Sequence, residues 1–141
     1  MPEPRLWVCA TADPEVLDLV HTELERLWAD APDVSDRDRL RFEMGLVEIV
    51  GNVVEHAYRA DSGDPARQLR LEVTVSPTEV RGELGDNGQP VALDLGEVTM
   101  PGDEAESGRG LALALASLDR LTHERVDGRN RWTLVCERAD S

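Results

Sequence analysis

Between residues 69 and 75 the chain alternates without a break: Leu69, Leu71, Val73 and Val75 are apolar, and Arg70, Glu72 and Thr74 are polar. Successive side chains of a strand point to opposite faces, so this segment is a strand with one dry and one wet face. Ser76-Pro77-Thr78 turns the chain, and Glu79 to Gly85 alternates less cleanly as the return strand. A second pair, about 120–127 and 130–137, is joined by Asp127-Gly128-Arg129, a hairpin signal. Strands joined by such short turns pair antiparallel, and their dry faces need a cover of helices.

The helices are legible around them. Leu6 to Ala10 is a short buried strand, and Asp13-Pro14 then supplies an N-cap and a first-turn proline. Val16, Leu17, Val20, Leu24 and Leu27 follow at helical spacing, to about Ala31. Ser35 with Asp38 opens a second helix as a capping box, with Asp in the Glu/Gln position. Leu40, Met44, Val47, Val50, Val54 and Tyr58 are its expected apolar face. Asp61 to Pro65 is a loop, residues 86–107 a long segment rich in Gly, Pro and acid, and Gly108 to Leu118 a short apolar helix. The order β, α, α, β, β, loop, α, β, β predicts a two-layer α/β (α+β) sandwich. Its sheet is mixed, mostly antiparallel, with the helices on one face. The 141 residues suit one domain, 1–141.

Charge narrows the function. A net charge of −14 with no Lys/Arg run argues against direct nucleic-acid binding and against an anionic membrane surface. No apolar stretch is long enough to span a bilayer, and Met1 to Ala10 lacks the pattern of a signal peptide, so a cytoplasmic protein is expected. Cys9 and Cys136 have no metal-site spacing and are expected to be buried free thiols.

Three segments carry chemistry. Glu48, Asn52 and His56 recur every four residues and line one side of the second helix. A carboxylate there suits a general base, and an amide oxygen suits a hard cation such as Mg2+. Gly85-Asp86-Asn87-Gly88 follows a strand and offers a carboxylate that can accept from an adenine amino group. Gly108-Arg109-Gly110-Leu111 opens a helix, where backbone amides and the helix N-terminus attract an anion. Taken singly, each also has a plain reading: a solvated helix face, a turn, a loop closing onto a helix.

In order and spacing the three segments resemble the GHKL (Bergerat-fold, histidine-kinase-like) ATPases, in particular the anti-sigma-factor serine/threonine kinases. Glu48, Asn52 and His56-Ala57-Tyr58 resemble that family's N box, Asp86-Asn87-Gly88 its first glycine box, and Gly108-Arg109-Gly110-Leu111 its second. Gly128 to Leu134 is similar to its closing strand. The resemblance implies an ATP- and Mg2+-dependent kinase that sequesters a sigma factor and phosphorylates an anti-anti-sigma antagonist. Glu48 is then the base, and Asn52 the metal-holding residue. Asp86 with Gly88 reads adenine. Gly108, Arg109 and Gly110 lie at the phosphates, and Thr133 reaches adenine through water. Residues 89–107 form the lid, His56 is a packing residue, and a homodimer is expected. The chain departs from the pattern at Pro90, in place of a second glycine, and at Glu106, where some of these kinases carry a base. Those departures favour the alternative, a non-catalytic nucleotide-binding or partner-binding regulator that acts by association only.

Overall fold

The computed structural model describes residues 3–61 (side chains to residue 55), 68–87, 112, 114 and 116–138. Five strands, β1 (Arg5–Thr11), β2 (Gln68–Val75), β3 (Glu79–Asp86), β4 (Arg120–Val126) and β5 (Arg129–Glu137), form one sheet. Their order is β1-β2-β3-β5-β4, and every neighbouring pair is antiparallel. A mixed sheet would need a parallel pair, and there is none among the described strands. Each expected strand is present, with ends shifted by a residue or two.

The alternation in β2 is realised as written. Leu69, Leu71, Val73 and Val75 are buried, and their rungs continue across the sheet through Leu84 and Val80 to Trp132, Leu134 and Cys136. The β4–β5 turn puts Asp127 at φ 53 and Gly128 at φ 75, the left-handed pair that a two-residue hairpin requires. The opposite face carries Arg70, Glu72, Arg81, Glu83, Arg131 and Glu124, charges that remain hydrated.

Helices α1 (Glu15–Asp30) and α2 (Asp36–Asp61) cover the dry face. Asp13 caps α1 through the Glu15 N–H, which donates to Asp13 Oδ1 at 3.0 Å, so helix entry falls where Asp-Pro placed it. Ser35 Oγ accepts from the Asp38 N–H at 3.1 Å. The Asp38 carboxylate pairs with Arg41 at 3.3 Å, the short Asp chain reaching forward along the helix.

The apolar face of α2 keeps Val50 and Val54 of the expected stripe buried but differs from it nearer the helix start, and the Tyr58 side chain lies outside the described residues. Leu40, Met44 and Val47 are 59%, 44% and 40% exposed, whereas Phe42, Leu46 and Ile49 are fully buried, with Val50, Val53 and Val54 beside them. Two apolar stripes overlap on this helix, and the sheet selects the one carrying Phe42, its largest apolar side chain. Burying Phe, Leu and Ile contributes about 1.5–3 kcal/mol each. Ala112, Ala114, Ala116 and Ser117 have helical backbone, in line with the expected short helix, and Leu118 after them lies directly on Gly45. Cys136 is buried as expected, but Cys9 is exposed. It points from edge strand β1 to the hydrated face, which neither α1 nor α2 covers. Among the described residues no helix is long and apolar enough to cross a membrane.

Candidate functional site

Asp86 ends β3 and is 6% exposed. Its rung runs from Leu69 through Asp86 to Asn130 on β5 and Arg125 on β4, on the face that the helices cover. Asn130 is 1% exposed, and its Nδ2 donates to Asp86 Oδ1 at 3.0 Å. Arg125 Nη1 donates to Asn130 Oδ1 at 3.3 Å, and His123 Nε2 lies 3.1 Å from that same oxygen. The His123 ring leans on Trp132, centroids 4.5 Å apart. The amide bond at Oδ1 offsets part of the cost of burying this carboxylate.

The neighbouring Asn87 has a different task. Gln68 N–H donates to Asn87 Oδ1 at 2.9 Å, and the Asn87 N–H donates back to Gln68 O at 3.4 Å. Its side chain thus ties the start of β2 to the end of β3 and holds the strand end that carries Asp86. The turn chemistry of Asp-Asn-Gly is divided between the two residues: Asn87 closes the sheet, and Asp86 faces inward.

Helix α2 packs on β3 and β5. Glu48 and Asn52 are half-buried and share one side of it, next to buried Ile49 and Val53. Gly51 between them has open space where a Cβ would stand. Half-buried polar side chains on a core-packed helix, near the strands that carry Asp86, are suited to a polar ligand seated between helix and sheet end.

The structure separates Thr133 from this group. Its register partners are Glu83 and Thr122, on the hydrated face, while its sequence neighbours Trp132 and Leu134 point into the core. The period of two along β5 puts Asn130, not Thr133, on the side of Asp86. Gly88, Gly108, Arg109, Gly110 and the 89–107 lid lie outside the described residues, as does the His56 side chain. His123 and Arg125 were not singled out from the sequence, and Asn87 and Asn130 stood inside named segments without a role of their own. Asn130 did carry a signal: it is a polar residue in phase with apolar Trp132 and Leu134, in a strand where Asn is disfavoured.

The described residues contain no cluster of three or more His, Cys, Asp or Glu side chains able to hold a metal ion. Asn52, half-buried on α2, offers an amide oxygen, a donor of the kind that a hard cation takes alongside other oxygens.

Over residues 10–136 the chain matches the model of a histidine kinase-like ATPase domain. No curated protein matches it. Among solved structures it is similar to the RsbU and RsbW domains of Rv1364c from Mycobacterium tuberculosis, at 21% identity and a TM-score of 0.65, over 96% of this chain and 32% of that one. It is also similar to the SiaB–SiaC complex from Pseudomonas aeruginosa, at 14% identity and a TM-score of 0.62, over 94% of this chain and 89% of that one. The chain therefore spans about a third of the first of these, and at such identities the likeness carries the fold.

Proposed function

The chain belongs to the histidine kinase-like ATPase domain family, and from that premise we propose that it is an ATP-binding anti-sigma factor that phosphorylates an anti-anti-sigma protein on serine or threonine. The observation that carries this reading is the buried, amide-held carboxylate of Asp86 at the end of β3, with Glu48 and Asn52 half-buried on the helix packed over that strand. Asp86 accepts from the adenine amino group. Asn52 holds Mg2+ together with the phosphates. Glu48 takes the proton of the attacking hydroxyl. Gly88, Gly108, Arg109 and Gly110 line the nucleotide, and residues 89–107 close over it. Mg2+, when bound, neutralises charge on the transferred phosphate. The fold likeness to the SiaB–SiaC complex supports a protein partner, read here as an anti-anti-sigma antagonist; a sigma factor as second partner, the cytoplasm and a homodimer belong to this proposal on the family resemblance alone.

Calorimetric titration with ATP, with and without Mg2+, tests the site. Saturable Mg-dependent binding is expected, and Asp86→Asn abolishes it without unfolding the protein. Asn52→Ala weakens the Mg-dependent binding far more than binding without metal. Glu48→Ala leaves ATP binding intact and lowers phosphate transfer by at least about 100-fold, the usual contribution of a general base. Equal transfer by wild type and Glu48→Ala would reduce the function to association alone, the second reading that Pro90 and Glu106 favour.

A further inference from the structure

The amide of Asn130 has two chemically different ends, and its neighbours decide which end faces Asp86. A guanidinium can only donate, so Arg125 Nη1 at 3.3 Å marks the amide oxygen. His123 Nε2, 3.1 Å from that oxygen, fits as a second donor in its Nε2–H form. The amide nitrogen is thereby turned to Asp86, which it meets at 3.0 Å. Arg125 is itself moored, because its Nη2 donates to Gly128 O in the β4–β5 turn at 3.0 Å. The orientation of a side chain that is 1% exposed is thus set from an exposed arginine on the edge strand of the sheet.

We propose that Asn130 is the positioning residue that gives Asp86 its preference for adenine, and that Arg125 and His123 on β4 hold its amide in the required sense. This rests on the reading of Asp86 as the adenine acceptor. Adenine presents a 6-amino donor where hypoxanthine presents a 6-carbonyl acceptor. A carboxylate held in one orientation accepts from the first and opposes the second. With the amide reversed, its oxygen would face the carboxylate, two acceptors would meet, and Asp86 would have to turn away. Edge strand β4 therefore bears on nucleobase choice through Asn130.

The experiment is calorimetric titration of the full chain with ATP and with ITP, both with Mg2+, read as the ratio of the two affinities. Wild type favours ATP. Asn130→Leu lowers the ratio roughly tenfold, the scale of one hydrogen bond to a charged group. Arg125→Glu, a change at an exposed position, replaces a donor with an acceptor, draws the amide nitrogen outward and lowers the ratio likewise. Arg125→Lys, which keeps a donor, restores it. In the nucleotide-free protein, exchange of the Asn130 side-chain NH2 is slow in wild type and fast in Arg125→Glu. A purely structural role would weaken both nucleotides together and leave the ratio unmoved. If Asp86→Asn loses ATP binding while Asn130→Leu and Arg125→Glu keep the wild-type ratio, the positioning role is overturned and the adenine reading stands. If Asp86→Asn still binds ATP and ITP in the wild-type ratio, the adenine reading falls and this inference falls with it.

Discussion

Arg138 shows how one side chain closes this fold. Its side chain is 7% exposed, and its guanidinium donates to Ser76 O at 2.7 Å, to Asp33 O at 3.0 Å and to Asp33 Oδ2 at 2.8 Å. The end of β5 is thereby bonded to the β2–β3 turn and to the α1–α2 connection. The hydrogen bond from Arg138 holds the Asp33 carboxyl below its ordinary value of 3.8. A depressed acid stabilises the folded state above its unfolded pKa, and that share is lost as pH falls through the folded value. Asp33→Asn is therefore expected to lower Tm at neutral pH by a small amount, since the carboxylate is exposed, and the difference is expected to shrink below 3.8. Thermal melts of both proteins from neutral to about pH 2.5 check this, and a gap of constant size would contradict it. The cysteines diverge at the same scale. Burial pushes the Cys136 thiol up to about 11, against the opposing charge of Arg41. Brief alkylation at neutral pH should label exposed Cys9 and spare Cys136 until the protein unfolds, which mass spectrometry reads directly.

Among the elements, α2 shows what local signals reach and where they stop. Its start was legible: Ser35 caps it as the spacing implied, and Ser35→Ala is expected to remove about 1 kcal/mol of stability. Its buried face was legible only in part: Val50 and Val54 are buried as their spacing implied, but Leu40, Met44 and Val47 are not, because apolar residues on two overlapping stripes fit the helical period equally well. Phe42 and Leu118 settle the matter by packing. A Cβ on Gly45 would stand 2.6 Å from Leu118 Cγ. Alanine there gains about 1 kcal/mol of helix propensity, but overpacking costs about 1–3 kcal/mol, so Gly45→Ala should destabilise. In a Leu118→Ala background the clash is gone, and the same change should stabilise. Urea melts of the four proteins give the coupling, and simple additivity would show that the contact carries no energy.

At the scale of the whole molecule, charge is the unusual quantity. The net charge is −14. The hydrated face of the sheet carries opposite charges side by side: Arg81 with Glu83 at 3.4 Å, Arg5 with Glu72 at 3.6 Å, Arg131 with Glu124 at 3.7 Å. Surface pairs of this kind contribute about 0–1 kcal/mol each, while self-repulsion of a strongly acidic chain acts over the whole surface. Screening should thus relieve more than it removes. Raising salt from about 0.01 M to about 1 M, which shortens the Debye length from about 30 Å to about 3 Å, is expected to raise Tm. A fall in Tm would mean that the ion pairs outweigh the repulsion.

The sequence alone determined the strands, their turns, both long helices and the candidate ligand segments, because alternation, capping and hairpin chemistry act over a few residues. It also put Asp86 at a strand end. The tertiary structure decided which face of α2 is buried, that Thr133 points away from Asp86, and that Asn130, forty-four residues distant in sequence, meets it. Those outcomes depend on the β3–β5 register and on which of two apolar stripes best fills the space over the sheet. Register and packing are properties of contacts between distant segments, and no local pattern contains them.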